Sequence, residues 1–316
     1  MELVRYNPDL KRQWDAFISE AKNESFLFHR EYMDYHADRF EDSSLLFYKK
    51  NKIIALFPCN RVHDCVFSHQ GLTFGGIISS VKINIEDIIL IFNLSNQYFL
   101  KRGITKVIYK PSPYIYHSIP SQEDLYALFR LKAKIIGRNI STVIPENNRI
   151  KFIESRLSGL RKARSKNFLI HYNGNLKEYW NLLESCLQVK YKTKPVHTLS
   201  EMSLLMERFP ENIKLYTVEE NNTILGGAIL YSYKQITKVQ YIASSDEGKD
   251  VGVLDFLFDV LINNYFKGVH YFDMGSSNEE MGNYLNKSLI FQKEGFGGRA
   301  VCYDTYEYST SEFIKL

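Results

Sequence analysis

Cysteine is scarce in this chain, four residues in 316 (Cys59, Cys65, Cys186 and Cys302), which argues against a disulfide scaffold and fits a reducing compartment. Cys59 and Cys65 flank His63, but no second ligand pair follows at zinc-like spacing, so no metal is expected and buried thiols are the better reading. Net charge is nearly absent: 40 Lys and Arg against 36 Asp and Glu leave +4, too little for bulk attraction to nucleic acid or to a membrane surface, and no DNA partner is expected. Long apolar runs are missing too. The strongest, Ile83 to Leu94, is broken by Asn84, Glu86, Asp87 and Asn93, which argues against a transmembrane segment. The opening Met1 to Pro8 lacks the basic-then-apolar layout of a signal peptide, so a cytoplasmic location is expected. There is no P-loop, Gly-x-Ser-x-Gly elbow, His-Glu-x-x-His pair or RNA-binding module, which removes support for NTPases, elbow-type serine hydrolases and metalloproteases.

Aromatic residues are plentiful instead, 21 Phe, 22 Tyr and 2 Trp, or 14% of the chain; most belong in the core, and tyrosine in this quantity also suits clefts needing a flat body with a polar tip. The length fits two domains, expected at 1–150 and 151–316. A long weak repeat organises them. Leu45–Tyr48 with Ile53–Phe57, and Lys214–Val218 with Ile224–Leu230, read as hairpins. Each continues into a third strand, Val66–Phe74 or Thr237–Ser244, rich in β-branched and aromatic residues. A helix follows: Ile88, Ile91, Phe92 and Phe99 mark one apolar face in the first copy, and Leu254, Leu257, Phe258, Leu261, Ile262 and Tyr265 mark the other. Gly103 and Gly268 cap these helices before the strands Lys106–Lys110 and Val269–Asp273, so both copies read β-β-β-α-β. Between the copies lie a helix at Ser121–Leu131, a β-rich stretch at Lys132–Ile144 and a helix at Phe152–Lys166. Helices at Leu176–Val189 and Ser200–Phe209 then open the second copy. No linker-like or low-complexity tract separates the halves, and a cleft between them is the default ligand site.

Two copies of α-α-β-β-β-α-β resemble the GNAT acyltransferase superfamily, and more narrowly its FemAB-like group, in which two such domains sit in tandem. Gln240-Tyr241-Ile242-Ala243-Ser244 is similar to the strand before the donor-binding turn, and Tyr271 to Asn278 to the following strand and loop. Phe291-Gln292-Lys293-Glu294-Gly295-Phe296-Gly297-Gly298 resembles the Phe-x-x-x-Phe-Gly-Gly signature, and the basic run Leu160 to Lys166 the segment opening the second domain. The resemblance implies an α/β (α+β) fold of two tandem GNAT-like domains, each a mixed, mostly antiparallel sheet flanked by helices. It also implies a transferase that moves an acyl or aminoacyl group to an amine on a cell-envelope glycan or peptidoglycan precursor. The donor would be acyl-CoA, acetyl-CoA included, or aminoacyl-tRNA. One departure bears on that choice. Acetyl-CoA enzymes of the superfamily hold pyrophosphate on a Gln/Arg-x-x-Gly-x-Gly/Ala turn at a helix N-terminus. Here the place reads Lys249-Asp250-Val251-Gly252-Val253-Leu254: Lys249 and Gly252 fit, but Leu254 replaces the small residue and Asp250, Asp246 and Glu247 add negative charge. The first copy has only the glycine turn Gly75-Gly76-Ile77-Ile78-Ser79-Ser80. A tRNA donor fits such a turn, and the rival reading is a catalytically inactive module that binds a glycan, nucleotide or partner protein.

An alkyl amine is mostly protonated at pH 7, so acyl transfer to it needs a proton acceptor. His197 in a turn between helices, Asp273 at a strand end and Glu294 are the candidates. For donor binding the candidates are Tyr241, Ile242, Ala243, Lys249, Gly252, Arg161 and Arg164, with backbone amides in Tyr241–Ser245 suited to hold an oxyanion. For substrate binding they are Gln240, Lys293, the polar loop Ser276, Ser277 and Asn278, the basic, aromatic Tyr191 and Lys194, and Asn286, which with Asn283 and Tyr284 is expected in the next helix. From Lys151 to Lys166 six basic residues stand against Glu154 alone, a helix suited to phosphates of tRNA, CoA or a diphosphate-linked carrier. No thiol lies in the expected cleft segments, so transfer is expected to be direct. The cluster Phe28, His29, Arg30, Tyr32 and Tyr35 reads as a helix start packed on the core, with a sugar-facing wall as the alternative.

Overall fold

The computed structural model describes residues 1–166 and 168–315. The chain forms two compact units: unit 1 is Met1–Ile140, Asn278–Tyr284 and Cys302–Leu316, and unit 2 is Ser141–Ser277 with Leu285–Val301. The chain thus passes from unit 1 at residue 140, rather than at 150, and its tail returns there.

Unit 1 carries β1 (Glu2–Arg5), α1 (Lys11–Glu20), α2 (Arg30–Met33), β2 (Glu41–Asp42), β3 (Leu45–Lys49), β4 (Lys52–Phe57), β5 (Asn60–Val62), β6 (Cys65–Phe67), β7 (Ile78–Ser79), α3 (Ile85–Leu100), β8 (Lys106–Tyr109) and α4 (Glu123–Arg130). The strand β9 (Lys134–Pro145) starts in unit 1 and ends in unit 2. Unit 2 continues with α5 (Glu154–Arg164), β10 (Leu169–Tyr172), α6 (Leu176–Tyr191), α7 (Leu199–Arg208), β11 (Ile213–Glu220), β12 (Thr223–Ser232), β13 (Ile236–Ser244), α8 (Asp246–Asp250), α9 (Val253–Val260) and β14 (Tyr271–Ser276). Then come β15 (Asn278–Glu279), β16 (Tyr284–Leu285), α10 (Lys287–Glu294) and β17 (Arg299–Ser309).

The repeat read from the sequence is present in the backbone. Both leading hairpins, β3–β4 and β11–β12, turn through two left-handed residues, Lys50–Asn51 (φ 51° and 59°) and Asn221–Asn222 (φ 51° and 61°), which is the turn whose twist suits a two-residue hairpin. In both units the third strand of the repeat runs parallel to its last, β6 beside β8 and β13 beside β14, while the hairpin pairs are antiparallel. The helix that links each parallel pair lays an apolar face on the sheet. In α3 the Asn84 side chain caps the start by accepting from Asp87 N at 2.9 Å, and Ile88, Ile91, Phe92 and Phe99 are buried. In α9 Val253, Leu257 and Phe258 join Val239, Phe272 and Met274 in one core.

The third strand of the first copy differs from the expectation of Val66–Phe74. It stops at Phe67, because His69 takes a left-handed φ of 58° and the chain folds back over Ser68–Gly75. Gly76 (φ 81°) has its own reason to be glycine: a Cβ there would lie 2.6 Å from the Tyr109 hydroxyl. That hydroxyl accepts from Ile77 N at 2.7 Å and donates to Asp124 at 2.8 Å. Burial pushes the Asp124 carboxyl up to about 6, against the lowering effect of the Tyr109 hydrogen bond. A carboxyl raised in the fold keeps a proton that the unfolded chain releases, so stability falls as pH rises from about 4 to about 6, by roughly 3 kcal/mol at most. The Asp124→Asn variant, still able to accept from Tyr109, is expected to be about 1–2 kcal/mol more stable at pH 7 and to flatten that slope. Urea unfolding at pH 4 and pH 7 checks this; an Asn variant weaker than wild type at pH 7 contradicts it.

Candidate active site

In unit 2 the parallel ladder of β13 and β14 lasts three pairs, Ile236–Tyr271, Thr237–Phe272 and Lys238–Asp273, and then the strands part. Two sequence features open the gap. Gly275 sits at φ 80°, in the left-handed region, and β13 carries a bulge: Tyr241 pairs with Ile229 and Val239 with Leu230, so Gln240 is an extra residue in the ladder to β12. Val239, Phe272 and Met274 lie in the core with α9. Strand alternation therefore turns Lys238 and Asp273 to the opposite face, and the bulge places Tyr241 there as well, against Trp180 of α6 (ring centroids 5.5 Å apart).

The Lys293 ammonium reaches into this gap. Its Nζ donates to the carbonyls of Gly275 at 2.9 Å and Ser276 at 2.7 Å, and it lies 3.8 Å from where a Gly275 Cβ would be, with the Val239 carbonyl 3.5 Å from that same point. Burial draws the Lys293 pKa down to about 8, the nearby Asp273 opposing and Lys238 adding to the shift. Burial lowers Lys238 too. Asp273 is fully buried; its Oδ1 accepts from Gly275 N at 2.8 Å and from the Ser141 hydroxyl. Two cations thus share one carboxylate at the point where the strands divide.

Asp273, expected as a proton acceptor, faces Lys238 across the ladder and fixes Gly275. His197, also expected in that role, is buried between α6 and α7 and bonds through Nδ1 to the Tyr241 hydroxyl at 2.7 Å. Glu294 is the last residue of α10, half-buried, one position from Lys293. Ile242 packs against the α9 core and Ala243 is buried beside it in β13. Ser276 ends β14 in an exposed position; Ser277 is buried, and its hydroxyl has no hydrogen-bond partner among the described residues. Asn278 belongs to unit 1, where its side chain accepts from Ile140 N at 2.5 Å. Asn283, Tyr284 and Asn286 do not form a helix as expected: Tyr284–Leu285 is a short strand, and Asn286 caps α10 by accepting from Leu289 N at 3.1 Å. Tyr191 and Lys194 are exposed at and beyond the end of α6. In unit 1, Phe28, Arg30 and Tyr32 are buried, with the Arg30 guanidinium 3.8 Å over the Tyr6 ring and paired to Asp34 and Asp42 at 2.5 Å each.

Where a pyrophosphate would be held, the backbone is already engaged. Ser245–Asp250 coils into α8, and Gly248 N bonds the Ser245 hydroxyl, Lys249 N the Ser245 carbonyl, Val251 N that of Glu247 and Gly252 N that of Lys249, at 3.0 to 3.2 Å. Gly252 (φ 76°) touches the backbone of α5: a Cβ on it would lie 2.3 Å from the Gly159 carbonyl oxygen. One turn into α9, Asp255 supplies the negative charge that its helix start favours and pairs with Arg156 at 2.8 Å. Two further arginines of the basic helix are paired, Arg164 with Asp259 at 2.7 Å and Arg161 with Glu154, and Lys249 pairs with Asp246 at 2.6 Å. The amides of Gly248, Lys249, Val251 and Gly252 are thus bound within the chain, and Asp246, Glu247 and Asp250 add negative charge to the same turn. The neighbourhood is not without a thiol, since Cys186 Sγ of α6 lies 3.3 Å from the Ser244 carbonyl.

The first unit shows what a filled gap is. There β6 and β8 also part after three pairs, but Ser68 N bonds the Ile108 carbonyl, Ser68 Oγ accepts from Lys110 N, and Gly75 N bonds the Lys110 carbonyl, at 2.7 to 2.9 Å. The chain closes its own opening, and the Lys110 ammonium is bound to the Leu72 carbonyl at 2.6 Å.

Searches of family models and of curated proteins find no match to the sequence. Solved structures do match. FemX is 11% identical with a TM-score of 0.70, covering 98% of this chain and 97% of its own. The fold is that of tandem GNAT proteins of the FemAB-like type. L-PGS from Bacillus licheniformis (12% identity, TM-score 0.58, covering 98% and 93%) and a tandem GNAT protein from the clavulanic acid biosynthesis pathway (8%, 0.56, 98% of each) share it. Among the described residues no helix is long and apolar enough to cross a membrane, and no group of metal ligands is gathered.

Proposed function

We propose that the chain is an acyltransferase of FemAB-like type that passes an acyl or aminoacyl group from an oxygen ester, an aminoacyl-tRNA, to an amine. The acceptor class implied by the resemblance is a cell-envelope glycan or peptidoglycan precursor. The observation that carries the reading is the Lys293 ammonium in the β13–β14 gap, beside the Gln240 bulge. A lysine with its pKa drawn down to about 8 is partly neutral near physiological pH, so it can accept the proton that an attacking amine must shed. The bulged peptide at Gln240 and Tyr241 lies outside the regular ladder, which suits it to polarise an acyl carbonyl. The engaged turn at Ser245–Gly252 favours the ester donor over acyl-CoA.

The test uses total tRNA charged with radiolabelled amino acids and hydroxylamine as a minimal amine. Hydroxamate formation above the uncatalysed rate, lost on Lys293→Met, is expected. Charged tRNA that the wild-type protein neither binds nor turns over would refute the transferase reading and favour a binding module.

A further inference from the structure

A neutral alkyl amine has two N–H groups and one lone pair. The Lys293 amine has two acceptors, the carbonyls of Gly275 at 2.9 Å and Ser276 at 2.7 Å. Both bonds therefore survive loss of the ammonium proton, and the lone pair is left aimed at neither carbonyl. An amine in that state is a nucleophile as well as a base. Resting on the transferase reading above for its natural donor, we propose that Lys293 is also an acyl-accepting site: with no amine acceptor in the gap, its Nζ takes the acyl group of an activated ester, and the amide so formed shuts the gap.

The geometry leaves room for this. Both carbonyls belong to the part of β14 beyond its last pair with β13, so Nζ stands where the strands have parted. Among the described residues, and apart from the chain neighbours of Gly275, the Val239 carbonyl oxygen at 3.5 Å and Lys293 Nζ at 3.8 Å are all that comes within 4 Å of the point where Gly275 would carry a Cβ. The amine thus borders open space. Ser276, its second acceptor, is exposed, and Lys293 itself is 8% exposed, so the site is buried without being sealed. Lys238 supplies the contrast. It is equally buried, at 8%, and burial lowers its pKa too, but it stands within the ladder, paired with Asp273 before the strands part.

The step balances. The neutral Nζ bonds to the acyl carbon, the carbon–oxygen ester bond breaks, and its electron pair leaves with the oxygen. One of the two nitrogen protons follows that oxygen, directly or through water, and the other stays on the amide, so the products are an amide and an alcohol with no oxidant or third reactant. The remaining N–H serves one carbonyl where the amine served two, Asp273 loses one of the cations beside it, and the acyl chain fills the space next to Gly275. The acyl group is then held, because an amide is a far poorer acyl donor than an ester.

The test treats the full wild-type chain with p-nitrophenyl acetate, without tRNA, and maps the acetylated lysines by mass spectrometry of its peptides over time. At pH 7 an amine with a pKa of about 8 is roughly a tenth neutral, against fewer than about one in a thousand at the reference value of about 10.4. Lys293 is therefore expected to be acetylated about tenfold or more ahead of the exposed Lys162, Lys190 and Lys192, with the lead shrinking by pH 10, and Lys238 is expected to stay unmodified. Hydroxamate formation from charged tRNA is expected to fall in step with acetylation of Lys293. Acetylation of Lys293 no faster than that of the exposed lysines overturns the site, and so does acetylation of Lys238 at the same rate, since burial rather than the opening would then select. Acetylated protein that keeps its full transfer rate overturns the closing of the gap. Wild-type protein without any transfer from charged tRNA refutes the transferase reading alone, and the acetylation map still decides the site.

Discussion

Replacing Lys293 by Met is expected to lower the transfer rate by 10²- to 10⁴-fold, the usual reach of a positioned general base, while leaving the protein about as stable as before. The two effects separate because the lysine is costly where it stands. Its pKa of about 8 against an ordinary value near 10.5 means that the fold holds fewer protons than the unfolded chain between those pH values, so stability rises with pH across that window. At pH 7 the buried cation therefore costs roughly 3 kcal/mol, and removing it returns that amount. Against this, the Gly275 and Ser276 carbonyls lose their donor, a penalty of about 1–3 kcal/mol each when water does not replace it. The sum lies within a few kcal/mol of zero. In the wild type the rate should climb with pH through about 8 as Lys293 loses its proton. The variant should lack that rise. Steady-state rates from pH 6.5 to 9 and a urea titration of both proteins decide the matter. A variant that unfolds early but keeps its rate would make Lys293 a structural residue.

Gly252→Ala is expected to destabilise the protein by about 2–5 kcal/mol. A left-handed φ of 76° costs an alanine about 1–2 kcal/mol, and its Cβ would lie 2.3 Å from the Gly159 carbonyl oxygen, backbone against backbone. Neither side can yield locally, since Gly159 is in turn held close by Asp255, whose Oδ2 would lie 1.8 Å from a Gly159 Cβ. The expected outcome, read by denaturant unfolding, is a lower midpoint at unchanged slope. An alanine variant as stable as wild type would mean that α5 can step off the start of α9, and the engaged turn would no longer argue against CoA.

Much of this was legible in the residues. Both repeats, their hairpins and the helices α3, α6, α7 and α9 follow from turn residues and apolar spacing that local physics dictates. What escaped was set by long-range placement. The stretch Val66–Phe74 has strand composition throughout, yet Ser68 and His69 turn it into the gap beside Lys110. Gly252 carries the mark of a phosphate turn but serves a helix contact with Gly159, which is distant in the chain. Asp273 and His197, expected as proton acceptors from their places at a strand end and in a turn, are buried; their partners, Ser141 and Tyr241, lie 132 and 44 residues away and no spacing rule joins them. Lys293, expected as a substrate contact, stands one turn ahead of Phe296-Gly297-Gly298; its burial comes from long-range packing that no local pattern shows.

The central proposal is that unit 2 takes an ester donor at the β13–β14 gap in preference to acyl-CoA, whose pyrophosphate would meet the bonded amides of Gly248 to Gly252. A side-by-side binding titration of charged tRNA, uncharged tRNA and acetyl-CoA, at one fixed salt concentration, tests it most directly. Saturable binding of tRNA with preference for the charged form, and none of acetyl-CoA, is expected. Saturable acetyl-CoA binding in the low micromolar range, with the amides of Gly248 to Asp255 perturbed, would contradict it.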